Sequence, residues 1–222
     1  MRPAIGVFII NFSASPNDQE FPALILAAGA SSRLGRAKAL LRMPGTGNTL
    51  LDQAIHNGRV LSRDVRVLCG AWYPLIRFRA TTQPSAWLQV PDWQEGLSAS
   101  LATGLASMAP KVKGVFVLVA DQPLLDEASL QAFGKAARFV PHQPVAADYQ
   151  GHPGVPAYLP RWLWPEVMAL EGDKGAGQLL AGVRANRVDI PGVEEDVDTP
   201  EDWQRVRQRL SQTGRTTRQS QR

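Results

Sequence analysis

Short uninterrupted apolar runs alternate along this chain with longer stretches whose apolar residues recur every three or four positions. Residues 22–28 (Pro-Ala-Leu-Ile-Leu-Ala-Ala) and Val115–Ala120 are runs of the first kind. Their length and composition predict strands buried on both faces. Val65–Cys69 and Trp87–Val90, broken by Arg66 and Gln89, are two further candidate strands. Pro144–Ala147 predicts one more short strand. Leu50–Leu61, Leu97–Met108 and Ser129–Phe139 carry helical spacing, and Pro200–Leu210 predicts a terminal helix with proline in its first turn. A polar loop, Ala30–Ala37, is followed by a helix-like stretch. Strands alternating with helices predict an α/β layered fold with a mostly parallel sheet.

The 222 residues suit one large domain, expected over 21–210, between a weakly ordered leader (1–20) and a basic disordered tail (211–222). A 44% apolar content with 20% charge excludes a disordered or fibrous chain. The net charge of +4 is a property of the end. Arg205, Arg207, Arg209, Arg215, Arg218 and Arg222 have no acid among them from 203 on, which leaves 18 bases against 20 acids elsewhere. No aromatic residue interleaves with the arginines beyond Trp203, so a nucleic-acid contact lacks stacking groups and no nucleic-acid partner is expected. No run approaches the ~18 apolar residues of a membrane span, so no membrane partner is expected either. The run Ala4–Ile10 after Arg2 reads as an extra leader rather than an export signal. The single cysteine, Cys69, excludes an internal disulfide and fits a cytoplasmic location.

In open α/β sheets, ligands bind beyond the carboxyl ends of the strands. Two predicted strands end there in unusual polar sequence: Ala28 leads into Gly29-Ala30-Ser31-Ser32-Arg33-Leu34-Gly35-Arg36-Ala37-Lys38, and Ala120 into Asp121. Both ends are expected at the same sheet edge. Gly29 and Gly35 permit tight turns and close backbone approach, and exposed N–H groups beside Arg33 and Lys38 make a candidate phosphate loop. It is neither a P-loop, which needs Lys directly after its second glycine, nor G-x-G-x-x-G. A solvated turn remains the alternative.

The segment Leu26–Lys38 resembles the L-A-A-G-x-x-x-R-[ML]-G-x-x-K signature of the nucleotidyltransferases related to MobA and MocA. Further segments resemble that family in order: Trp93–Leu101, Asp121-Gln122-Pro123, Gly151-His152-Pro153, Gly172–Leu180 and Asp196–Asp202. The resemblance covers about residues 22–210 and is closest to the molybdenum cofactor cytidylyltransferase branch. It implies a Rossmann-like three-layer sandwich like that of nucleotide-diphospho-sugar transferases. It implies Mg²⁺ as cofactor, CTP (or GTP) and molybdopterin as substrates, and a xanthine dehydrogenase-type apo-enzyme or its insertion chaperone as partner. Arg33, Lys38 and Asp121 would then be catalytic. Leu26, Ala27, Ala28, Gly29, Gly35, Ser98 and Ser100 would bind the nucleotide, and Asp121 with Asp198 would bind the metal. His152 would line the acceptor pocket. Asp121 could instead cap a helix, Asp198 could simply start one, and Ser98 and Ser100 could be packing residues. Asp196 is the weaker candidate for the second metal ligand. A related GTP-dependent enzyme and a non-catalytic cofactor carrier are the alternative functions.

Overall fold

The computed structural model describes residues 8–9 and 21–219. Its centre is β2 (Ala23–Ala27), where alternate side chains enter two different cores. Ala23 and Ile25 face one layer and Leu24 and Leu26 the other, as a strand covered on both sides requires. β3 (Val65–Cys69) pairs parallel to one edge of β2, and β4 (Ala86–Gln89) pairs parallel to β3. β5 (Gly114–Val119) pairs parallel to the other edge of β2.

The chain thus winds outward through β2, β3 and β4, then returns to place β5 on the far side of β2. That reversal is the topological switch point at which α/β sheets bind ligands. β7 (His152–Pro160) lies antiparallel to both β5 and β6 (Val145–Tyr149), and β8 (Asn186–Val188) closes the sheet parallel to β6. With β1 (Phe8–Ile9) antiparallel to β4, eight strands run in the order β1-β4-β3-β2-β5-β7-β6-β8.

One face is covered by α1 (Leu50–Leu61) and α4 (Glu127–Phe139), whose Ile55 and Phe133 meet Phe116 and Tyr158. Thr49 and Asp52 start α1 with a reciprocal capping box, and Asp126 caps α4 by accepting from the Ser129 N–H. The other face carries α3 (Leu97–Ala106), α5 (Trp164–Met168) and α6 (Gly177–Gly182). This is the three-layer α/β sandwich expected from the sequence. A third cluster joins Leu34, Leu41, Met43 and Leu50 to Val197, Trp203 and Val206, seating α7 (Pro200–Gln219) against the loop after β2.

Several expectations change. The stretch after Ala37 is not an α-helix. Two single 3₁₀ turns, Ser32–Leu34 and Lys38–Leu40, are followed by a bridge between Arg42 and Thr49. Pro44, Gly45 and Gly47 leave too few residues to carry a nucleated helix forward. α7 does not stop at Leu210. Its backbone stays helical to Gln219, through a stretch expected to be disordered but rich in the helix-formers Arg and Gln and free of proline. α2 (Leu75–Arg79), α5 and α6 were not read, being short. Of the expected leader, residues 1–7 and 10–20 lie outside the described residues. No helix among the described residues is long and apolar enough to cross a membrane.

Candidate active site

β2 delivers the chain to a tight loop at the switch point. Ser31 takes a left-handed conformation (φ 55°) and Gly35 another (φ 66°), the second at a position where glycine costs nothing. Lys38 N–H donates to Ser31 Oγ (3.3 Å), the indole N–H of Trp72 to Ala30 O (2.8 Å), and Ala71 N–H to Ala28 O (3.0 Å). These bonds hold the loop open over a cavity of about 450 Å³, lined by residues 26–32 with Lys38, Trp72, Trp93, Ser100 and Asp121 among others. A Cβ placed on Gly29 would meet no atom within 4 Å, so this part of the backbone faces open space.

Against the cavity stands a charged cluster assembled from three distant segments. Lys38 Nζ lies between two carboxylates, in a short contact with Asp121 Oδ2 and at 2.9 Å from Asp198 Oδ1. Arg33 binds the other oxygen of Asp198 at 2.9 Å. Asp121 follows β5 directly. Asp198 arrives with the turn before α7, where Asp202 accepts from the Asp198 and Thr199 N–H groups. Burial works against the Lys38 charge, but the Asp121 and Asp198 carboxylates outweigh it and raise its pKa. Burial likewise opposes ionisation of Asp198, and bonding to Lys38 and Arg33 reverses that and lowers its pKa. No ion pair with Asp196 is among those of the described residues, and the Lys38 charge acts on it only weakly. Burial, and then the Asp121 charge, push its carboxyl up to about 6.

Asp121 Oδ1 is buried with no hydrogen-bond partner. Among the described residues no group of three or more His, Cys, Asp or Glu is placed to hold a metal unaided. Mg²⁺ in nucleotide sites takes only one or two carboxylates and completes its shell with phosphate oxygens and water. Two carboxylates on one lysine, one with a free oxygen atom beside the cavity, fit that requirement.

The other expected residues divide. Leu26, Ala27, Ala28, Gly29 and Ser100 line the cavity, whereas Gly35 shapes the loop without lining it. Ser98 is buried, and its N–H donates to Gly172 O, joining α3 to the loop before α6. Gly96 allows that junction, because a Cβ there would lie 2.5 Å from the Gly172 backbone. His152 lines a second, adjoining cavity of about 330 Å³, mostly apolar, which shares Leu26 and Leu97 with the first. Asp121 does not cap a helix, since α4 begins six residues later, at Glu127, and is capped by Asp126. Trp72, Ile76, Trp93, Gln94 and Asp173 also line the first cavity and were not picked out from the sequence. Trp93, Gln94 and Asp173 fall inside segments that resemble the family without having been singled out there, whereas Trp72 and Ile76, before and within α2, stand in none.

Residues 23–190 match the model of the MobA-like NTP transferase domain. This chain belongs to the MobA-like NTP transferase family. The purine catabolism protein PucB of Bacillus subtilis (strain 168) is 30% identical over 206 residues, spanning 85% of this chain and 96% of PucB. Among solved structures, Rv0371c from Mycobacterium tuberculosis H37Rv is 26% identical with a TM-score of 0.74, covering 85% of this chain and 98% of that one. A second Rv0371c structure, a complex with manganese, is 24% identical with a TM-score of 0.70 over 85% and 98% of the two chains. A nucleotidyl transferase from Methanothermobacter thermautotroptrophicus shares the fold (TM-score 0.72, 16% identity, 87% and 99% covered). The fold of this MobA-like chain is therefore that of the nucleotidyltransferases.

Proposed function

We propose that this protein transfers CMP from CTP, with Mg²⁺, to the terminal phosphate of molybdopterin or molybdenum cofactor and releases pyrophosphate. The observation that carries the proposal is the meeting of Lys38, Arg33, Asp121 and Asp198 beside a cavity walled by the loop after β2. Nucleotidyl transfer asks a protein for alignment and charge neutralisation rather than for covalent chemistry. An oxygen of the acceptor phosphate attacks the α-phosphorus. The bond from that phosphorus to the bridging oxygen breaks, and pyrophosphate departs with the electron pair.

The backbone of residues 28–32 binds the triphosphate, and Arg33 adds a planar donor for its outer oxygens. Lys38 holds positive charge at the bridging oxygen as charge develops there. Asp121 and Asp198 would hold the divalent ion, which would supply further neutralisation of the phosphate oxygens. The apolar cavity beside His152, which shares Leu26 and Leu97 with the nucleotide cavity, receives the acceptor. Its walls, Leu101, Val117, Tyr149 and Val155, give a flat ring system a dry surface.

The product would pass in the cytoplasm to an apo-enzyme of the xanthine dehydrogenase type or to its insertion chaperone. The name of the PucB relative, a purine catabolism protein, supports that destination. Pyrophosphate release with freshly prepared molybdenum cofactor, measured with CTP and GTP separately, tests the proposal. Release with GTP alone would move the assignment to guanylyl transfer. Cofactor binding without release would leave a carrier.

A further inference from the structure

A third cavity, of about 450 Å³, is bounded by residues 36, 37 and 40–42 of the segment whose Lys38 and Ala39 line the nucleotide cavity. Its walls include Arg36 and Arg42 on that segment, Trp203 and Arg207 one helical turn apart on α7, and Trp72 and Leu75 at the start of α2. None of the three arginines takes part in an ion pair among the described residues. Arg42 donates one N–H to Gly47 O (2.7 Å) and keeps its other donors, and the Arg207 guanidinium lies 6.0 Å from the centre of the Trp203 ring. Arg205 and Arg209, on the same helix, are instead paired with Glu195. Three uncompensated guanidinium groups on one concave surface repel one another and are stabilised together by an anion. Beside them the half-buried Trp72 indole and the exposed Leu75 offer an apolar face, backed by the buried ring of Trp203.

We infer that this groove is a second ligand site, for a phosphate-bearing compound with a planar ring, the chemistry of a nucleoside monophosphate. It is distinct from the site of Lys38 and Asp121, which contributes no charged wall to it. Trp72 forms a wall of both cavities and bonds to Ala30 in the loop after β2, so a ligand in the groove rests on a part of the nucleotide site.

The test is titration calorimetry of the full chain with CMP, with inorganic phosphate and cytidine as partial probes. Wild-type protein should bind two CMP per chain. The double variant Arg42→Gln/Arg207→Gln, with unchanged circular dichroism, should weaken one of the two by about tenfold or more and leave the other intact. Inorganic phosphate should compete at the groove, and cytidine should not. A single equivalent unaffected by the double variant overturns the inference. A single equivalent lost in the double variant upholds it and counts instead against nucleotide binding at the Lys38 site.

Discussion

Gly70 ends β3 beside the loop after β2, and adding one methyl group to it is a sharp probe of the site. A Cβ there would lie 2.6 Å from the Ala28 carbonyl oxygen and 2.6 Å from Trp93 Cβ. Ordinary contact begins near 3.4 Å, so one or both neighbours must retreat by about 0.8 Å. Neither is a loose side-chain end. Ala28 O accepts the Ala71 N–H, and both Ala28 and Trp93 line the nucleotide cavity. Overpacking of this kind costs about 1–3 kcal/mol of stability. A displacement near 1 Å at a reacting centre costs roughly 10²-fold in rate. Gly70→Ala should therefore fold, unfold in urea at a slightly lower midpoint, and lose about 10²-fold in kcat/KM for CTP. Gly182→Ala is the control, since a Cβ there meets nothing within 4 Å. It should leave kcat/KM unchanged. A Gly70→Ala enzyme within about threefold of wild type would refute the link between this contact and the nucleotide site.

Lys38→Met should lower kcat by about 10²–10³ in a pyrophosphate-release assay, because in the proposed reaction it removes the charge assigned to the departing oxygen. His152→Ala should raise KM for the acceptor by about three- to tenfold and leave KM for CTP unchanged, as steady-state kinetics with each substrate varied will show. Asp52 is buried and accepts from Thr49 N and Oγ1 and from Thr81 and Thr82 N–H, so Asp52→Ala should cost about 3–4 kcal/mol and about 10 °C in Tm by thermal unfolding. Burial opposes the Asp52 charge, but those donors lower its folded pKa below the ordinary 3.8. Its contribution is therefore fully present above that value and fades as pH falls through the folded one, so the stability gap between wild type and Asp52→Asn should narrow below about pH 4.

The strands nearest the site were the most legible parts of the chain. β2 and β5 are continuous apolar runs because both faces are covered, and β3 departs from that only at Arg66. β7 lies beside them and was missed. Pro153, Gly154 and Pro156 break its pattern, and the sheet tolerates this because its register with β6 shifts between Ala146 and Ala147, leaving Val155 and Pro156 in a bulge.

The same contrast holds in the site. Arg33, Lys38 and Asp121 stand in local motifs at strand ends. Asp198 joins them across 160 residues only because Val197 and Trp203 pack α7 onto Leu34 and Leu41. Asp196 looked the weaker of the two acids in its segment. Whether it faced solvent or Asp121 depended on that packing, and it is half-buried near the Asp121 charge. Trp93 and Asp173 stood in family-like segments without their place in the wall being legible, and Trp72 has no sequence signature, because a cavity wall is set by which segments converge.

Pyrophosphate release by wild-type protein and Asp121→Ala, with Mg²⁺ and molybdenum cofactor and with CTP and GTP offered separately, tests the central claim most directly. Release with CTP that disappears in Asp121→Ala is the predicted result. Release that persists at near-normal rate in Asp121→Ala would contradict the role given to the cluster around Lys38, and silence with both nucleotides would contradict the proposed reaction itself.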